Sequence, residues 1–229
     1  MRVVICSDVH GNVAALEAVL ADIRREGWPD VFFVAGDLAL SGPRPAEALA
    51  VLRSIDGARF VVGNCDEYIA NRDPEPEVRF AVERLSDDDL AFLGGLPLTQ
   101  SLDAEHGRSL LVCHANPRNV MDPIKPELPE AVIRPLLEGV SAELIAFGHY
   151  HVPFVRRIAD WTLADISSVG MPRDGDLRAV YAVLTPGQQG WNVEHRRVEY
   201  DWDSVARDFS DVRFPRAEQA AATFLRARY

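Results

Sequence analysis

"CSDVHGN", residues 6–12, follows the apolar run Val3, Val4, Ile5. A buried-type strand that runs into an acid, an imidazole and a glycine-asparagine turn is the pattern on which the fold reading depends. Side chains alternate along a β-strand, so Asp8 and His10 share one side of its C-terminal end, at a spacing that suits one metal ion. A lone D-x-H also occurs in solvated turns, so recurrence of the pattern decides its meaning.

The pattern recurs four times. Apolar residues 31–35 close on Gly36 and Asp37, residues 60–62 on Gly63 and Asn64, residues 110–113 on His114, and residues 144–147 on Gly148, His149, Tyr150 and His151. The seven side chains Asp8, His10, Asp37, Asn64, His114, His149 and His151 offer only oxygen and nitrogen donors. Between these strands, Val13, Leu16, Val19, Leu20 and Ile23 recur at helical spacing until Gly27 and Pro29, and a second helix starts near Pro45. Residues 66–96 read as mostly helical, a cover over the sheet, with residues 87–89 as a cap or turn. Strands alternating with helices predict an α/β fold, in which strand C-termini meet at one edge and form ligand sites.

After residue 152 the rhythm changes to short strands at 154–158, 161–164, 179–184 and 191–198, an antiparallel pattern, and a final Ala-rich helix follows Pro215. The charge-rich stretch 194–213 reads as a solvated face, and His106 and His195 as surface histidines. No repeat, low-complexity segment or long linker divides the chain, so residues 1–229 are read as one domain.

Composition narrows the class. No apolar stretch approaches the ~20 residues needed to span a bilayer, and the opening apolar run is too short for a signal peptide. Three widely spaced cysteines, Cys6, Cys65 and Cys113, fit reduced thiols, so a cytoplasmic protein without a membrane partner is expected. The formal charge is −11, from 35 acids against 24 Lys plus Arg. That field repels a long nucleic acid but permits a small anionic substrate, because bound cations reverse the potential locally. Nothing in the sequence encodes an oligomeric state.

The ordered set D-x-H, G-D, G-N, H and G-H-x-H resembles the calcineurin-like metallophosphoesterase superfamily, in particular its small bacterial phosphodiesterase-like branch. "SSVGMPRDGDLRAVY", residues 167–181, extends the resemblance to about residue 185. The resemblance implies a four-layer αββα sandwich of two mixed β-sheets flanked by helices. It also implies two divalent metal ions, one held by Asp8, His10, Asp37 and His151 and one by Asp37, Asn64, His114 and His149, with Asp37 bridging. Two such ions ~3.5–4 Å apart share a water, lower its pKa and clamp an in-line displacement at phosphorus; a metal-bridging hydroxide is then the implied nucleophile. Manganese suits the mixed O and N donors, with iron, zinc or nickel as alternatives. Three arginines, Arg118, Arg173 and Arg178, are candidates for binding the substrate phosphate through paired guanidinium donors.

The sequence departs from the family pattern in "VGNCDEY", residues 62–68. Many superfamily members carry a histidine after G-N, placed to protonate the leaving group; here Cys65 takes that place and Asp66 follows. Asp37, Asn64, Cys65 and Asp66 are the candidate catalytic residues, with Cys65 either a weak proton donor or an apolar filler. Tyr150 between the last two histidines and Asp165 before the S-V-G segment also depart, and Asp165 is read as a turn cap. The expected function is a dinuclear-metal phosphoesterase, specifically a phosphodiesterase acting on a small nucleotide-like or other phosphate ester. The rivals are a metal-binding regulatory or protein-interaction scaffold without hydrolase activity, a nuclease, and a single-iron oxygenase, the last disfavoured by too many ligands for one ion.

Overall fold

Side chains of strand β1 (Val3–Cys6), all buried, alternate between two layers: Val3 and Ile5 enter one apolar layer, Val4 and Cys6 the other. The structure, a computed structural model, describes residues 1–228. Helix α1 (Val13–Glu26) starts where the Asn12 side chain accepts the N–H of Ala15 at 3.1 Å, and stops at Gly27 in a positive-φ conformation. Strand β2 (Val31–Val34), helix α2 (Pro45–Arg53) and the two-residue strand β3 (Arg59–Phe60) follow. Three helices then cover the sheet: α3 (Asn64–Asn71), α4 (Pro76–Val82) and α5 (Asp87–Gly94). Asp87, Asp88 and Asp89 form the first turn of α5, and the cap is Ser86, closed by Asp89 in a capping box.

The second half supplies strands β4 (Thr99–Asp103) and β5 (Ser109–Cys113), helix α6 (Glu130–Leu137), and strands β6 (Leu144–Phe147), β7 (Phe154–Ile158), β8 (Trp161–Asp165), β9 (Ala179–Gly187) and β10 (Gly190–Val198). Helices α7 (Trp202–Asp211) and α8 (Ala217–Arg226) end the described chain. One sheet has the order β10-β9-β1-β2-β3, the other β4-β5-β6-β8-β7. Strands β1, β2 and β3 are parallel, as are β5, β6 and β8, while β4, β7, β9 and β10 pair antiparallel.

Ile5, Phe33, Val112, Ala146 and Leu184 form the layer between the sheets. On the outer face of the first sheet Val4, Cys6 and Val34 pack with Leu16, Leu20, Leu49 and Leu52 of the helices; on the outer face of the second, Ile145, Phe147 and Leu163 pack with Ile133 and Leu137 of α6. The fold is therefore the expected four-layer αββα sandwich of two mixed sheets.

Three readings are corrected. The last four strands do not form one antiparallel unit: β8 lies parallel to β6 in the second sheet, and β9 joins β1 in the first. Strand β4, an edge strand, has no counterpart in the predicted elements because its sequence, Thr-Gln-Ser-Leu-Asp, carries little apolar signal. The stretch 194–213 is not a solvated face, for Trp202, Val205 and Phe209 recur at helical spacing in α7, with Val205 and Phe209 buried against Phe214 and Phe224. His195 is half-buried, with its Nε2 2.6 Å from the Asp165 carbonyl oxygen; His106 is exposed. Among the described residues no helix is long and apolar enough to cross a membrane.

The C-terminal helical pair is tied to the sandwich by Arg44, whose Nε and Nη2 donate to both carboxylate oxygens of Asp208 at 3.1 and 2.9 Å. This fork-to-carboxylate pair is partly shielded, so Arg44→Met is expected to cost about 1 kcal/mol and lower Tm by about 2–4 °C. A thermal melt checks this, and an unchanged Tm would mean that apolar packing alone docks α7.

Candidate metal centre

The loops after β1 and β2 continue the parallel ladder as turns: the Asp8 N–H donates to the Gly36 carbonyl and the His10 N–H to the Asp37 carbonyl, each at 3.0 Å. Asp8, His10, Asp37, His149 and His151 all lie in the left-handed region, with φ of 53°, 50°, 56°, 68° and 58°. For residues with a Cβ this costs on the order of 1 kcal/mol each, and such strain gathers where a site dictates side-chain direction. Here it turns five donors from three strand ends toward one point.

Two glycines permit the close approach. A Cβ on Gly63 would lie 2.1 Å from Asp37 Oδ1, and one on Gly148 would lie 2.1 Å from Asp8 Oδ2. The glycines before Asn64 and His149 thus let one strand's loop touch the carboxylate from another, a signal present in the sequence as G-N and G-H.

Asp8, His10 and His151 place one donor atom each within 4.8 Å of one another, and so do Asp37, His114 and His149. Asp37 joins the two groups: Oδ1 is 3.4 Å from His114 Nε2 and Oδ2 is 3.7 Å from His10 Nε2. Asn64 Oδ1 lies 3.1 Å from His114 Nε2. All seven residues expected as ligands are therefore gathered in one cage.

The protonation pattern tests whether cations fit. His10 Nδ1 faces the Leu40 carbonyl at 2.9 Å, His114 Nδ1 that of Ala35 at 2.8 Å, His151 Nδ1 that of Met171 at 2.6 Å, and His149 Nε2 that of Met121 at 3.0 Å. A carbonyl only accepts, so each of these nitrogens carries a proton, and in its neutral form each ring turns the lone pair of its inner nitrogen into the cage. Those lone pairs face one another: His10 Nε2 is 3.2 Å from His151 Nε2, His114 Nε2 is 3.1 Å from His149 Nδ1, and His151 Nε2 is 2.9 Å from Asp8 Oδ1. Acceptor against acceptor in a buried site is repulsive unless positive charge lies between them, so the residues fit divalent cations.

Charges within the cage are strongly coupled. Burial opposes ionisation of Asp8, but the surrounding imidazoles, His151 first, hold its carboxyl well below the usual range. Burial pushes His10 down to about 4. Burial also acts to lower His114, yet the charges of Asp37 and Asp8 outweigh it and raise this imidazole above its ordinary value. Asp8 is further fixed by the Ser7 hydroxyl, 2.5 Å from Oδ2, and by the His149 N–H, 3.0 Å from the same oxygen.

The remaining expected site residues fall into place differently. Cys65 Sγ lies within 4.8 Å of donor atoms of His10 and Asp37, so it faces the cage rather than filling apolar space alone. Its N–H donates to Asp37 Oδ1 at 2.9 Å, while burial and nearby Asp37 push the thiol well above its ordinary pKa. Asp66, expected among the catalytic residues, points away from the cage: its carboxylate accepts the N–H groups of Asp37, Leu38 and Gly63, each at 2.9 Å. It is a positioning residue for the Asp37 loop. Burial and the Asp37 charge raise it to about 7.

Of the arginines, Arg118 donates to the Glu138 carbonyl and Arg178 is paired with Asp176 at 2.6–3.1 Å. Both are turned to those partners, Arg118 to a distant backbone carbonyl and Arg178 to a carboxylate two residues before it in the chain. Arg173 sits beside the cage, its N–H donating to the His151 carbonyl at 3.0 Å and its guanidinium near the Thr223 and Arg228 carbonyls. Asp165 caps a turn as expected, accepting the Ser167 N–H at 2.6 Å. Sequence reasoning missed the outer partners Leu40, Ala35, Met121 and Met171, because backbone carbonyls leave no mark in residue type, and the Ser7 hydroxyl, whose partner is fixed by side-chain direction.

Comparison with known proteins agrees with this geometry. The profile of the calcineurin-like phosphoesterase superfamily domain matches residues 1–189. An uncharacterised protein of Methanocaldococcus jannaschii is 28% identical over 224 residues, covering 87% of this chain and 88% of that protein. A symmetrical bis(5'-nucleosyl)-tetraphosphatase of Klebsiella pneumoniae is 28% identical over 123 residues, which cover 50% of this chain and only 43% of the tetraphosphatase. The crystal structure of a metallophosphoesterase from Sphaerobacter thermophilus superposes with a TM-score of 0.84 at 27% identity, covering 99% of this chain and 100% of that one. Because the profile spans every strand end that contributes to the cage, and the fold is shared along nearly the whole chain, the protein belongs to the calcineurin-like phosphoesterase superfamily and is a hydrolase of phosphate esters.

Proposed function

We propose that this hydrolase uses two divalent metal ions and acts as a phosphodiesterase on a small, nucleotide-like ester. The observation that carries the reading is the pairing of lone pairs across the cage, with the Asp37 carboxylate extending one oxygen toward each half. Asp8, His10, Asp37 and His151 would hold one ion, and Asp37, Asn64, His114 and His149 the other. When bound, such a pair supplies Lewis acidity at phosphorus and acidifies water near neutral pH. The chain's own part is to orient the imidazoles through four carbonyls and to fix Asp8 and Asp37 through Ser7, His149 and Cys65. Manganese, with iron, zinc or nickel as alternatives, suits these donors. The tetraphosphatase relatives support a small nucleotide substrate.

Cys65 is a poor general acid, since its thiol is held protonated in a buried site beside Asp37. Turnover is therefore expected to favour good leaving groups, with nitrophenyl diesters at least about tenfold faster than alkyl monoesters. Rates that stay level across a leaving-group series would show that another residue delivers the proton. The reading itself is tested by metal analysis of the purified protein followed by a screen of mono- and diesters with manganese added. Two equivalents of metal and metal-dependent diester turnover are expected; no turnover of any ester would leave a binding scaffold as the better description.

A further inference from the structure

Helix α3 begins at the cage and carries an aromatic residue back over it. Asn64, its first residue, turns Oδ1 toward His114 Nε2. Tyr68 follows four residues on, so the two share one face of the helix, and the tilt of side chains toward a helix N-terminus aims the Tyr68 ring at the cage. Its hydroxyl ends 3.4 Å from Met121 Sδ. Met121 serves the same half of the site, because its carbonyl accepts the Nε2–H of His149. The phenol oxygen is thus held between α3 and the loop that orients His149, at the rim of the half formed by Asp37, Asn64, His114 and His149. Burial first, then the charges of Cys65 and Asp37, raise the phenol above its ordinary pKa, so it stays a donor within electrostatic reach of the cage.

That donor is weakly spent. A thioether sulfur is a poor acceptor, and the Met121 side chain that offers it is 49% exposed, a large apolar residue left at the surface. An anionic oxygen accepts a hydrogen bond roughly twice as strong as a neutral acceptor does, so a bound phosphate ester displaces the sulfur. The need for such a donor follows from the cage itself, whose ligating atoms turn lone pairs inward and offer an ester's oxygens nothing to accept from. Arg118 and Arg178, expected to donate, are engaged elsewhere. Tyr68 also borders a hollow of about 410 Å³ that it shares with Cys65 and with Asp73, Glu75 and Glu77. Those carboxylates disfavour a phosphate, so the phosphoryl group stays on the cage side of the hydroxyl.

Resting on the phosphoesterase reading, we propose that the Tyr68 hydroxyl is a substrate-binding group that donates to a non-bridging phosphoryl oxygen on the His114 side of the cage. It exchanges Met121 Sδ for that oxygen when the ester binds. The hydroxyl holds the phosphoryl group and transfers no proton, so the preference for good leaving groups is untouched.

Tyr68→Phe removes one oxygen atom and leaves the ring in place. In the metal-loaded protein it is expected to weaken orthophosphate binding, read by calorimetry, about tenfold and to lower kcat/KM for nitrophenyl diesters by about the same factor, equally for good and poor leaving groups. Metal content is expected to stay the same. Met121→Leu keeps the carbonyl that orients His149 and removes the sulfur, so it is expected to tighten orthophosphate binding, because the hydroxyl no longer has a partner to leave. Unchanged phosphate affinity in Tyr68→Phe, or an equal loss in Met121→Leu, would reduce the contact to a structural one and overturn the proposal. A loss confined to poor leaving groups would overturn it too, by placing the hydroxyl on the leaving oxygen. If no ester is hydrolysed while phosphate affinity still depends on Tyr68, the phosphoesterase reading fails and the contact stands.

Discussion

Asp37→Asn is expected to remove one of two equivalents of bound metal and to lower turnover about a thousandfold or more. Asparagine tolerates the left-handed backbone that Asp37 adopts at φ 56°, so the loop keeps its shape and only the charge and one donor oxygen change. Loss of an outer partner of a metal ligand already costs about 10- to 100-fold. Asp37 is the residue common to both halves of the cage, with Oδ1 toward His114 and Oδ2 toward His10, so its loss exceeds that range. Metal content by mass spectrometry and steady-state rates on a nitrophenyl diester provide the check. A variant that retains two equivalents would show that the halves are held independently, and Asp37 would no longer be the bridge.

Acid is expected to empty the two halves of the cage in sequence. His114 has its imidazole raised above the ordinary 6.5 by Asp37 and Asp8 against the effect of burial, so in the metal-free protein it gains a proton as pH falls through that region. A proton on Nε2 excludes a metal ion from the same lone pair, and apparent affinity falls about tenfold per pH unit below the pKa, roughly a hundredfold over two units. On the other side, burial pushes His10 down to about 4, and Asp8 is held well below the usual carboxylate range. Neither competes for the ion above about pH 5. The equivalent on the His114 side is therefore expected to leave before the one on the side of Asp8 and His10. Competition with a chromophoric chelator between pH 8 and 5 resolves the two steps, and His114→Ala identifies which is which. Simultaneous loss of both equivalents would mean that the shared carboxylate couples the halves too tightly for His114 to act alone.

The donor set was legible in the sequence because each member closes a strand whose apolar run is visible by itself. Asp37, Asn64, His114 and His149 each follow directly on such a run or on its glycine turn, Asp8 follows one residue after its run, and strand ends of an α/β fold have one place to meet. The same local periodicities gave the alternation of strands and helices, while the αββα layering was implied by the resemblance to the superfamily. Edge strand β4 was not legible, since its apolar residues are sparse; helix α7 carries an apolar period in Trp202, Val205 and Phe209 that its many charged neighbours mask.

Side-chain direction belonged to the tertiary structure. Asp66 stands two residues from Asn64 yet serves the backbone of Asp37 and Leu38, and Arg118, close after His114, is held by the carbonyl of Glu138. The lone pairs of the four imidazoles are aimed by the carbonyls of Leu40, Ala35, Met121 and Met171, a choice that residue type does not record. The sequence by itself determined which donors exist and at which strand ends. Only packing decided where each points, because a long polar side chain takes whichever partner the folded chain brings within hydrogen-bonding distance.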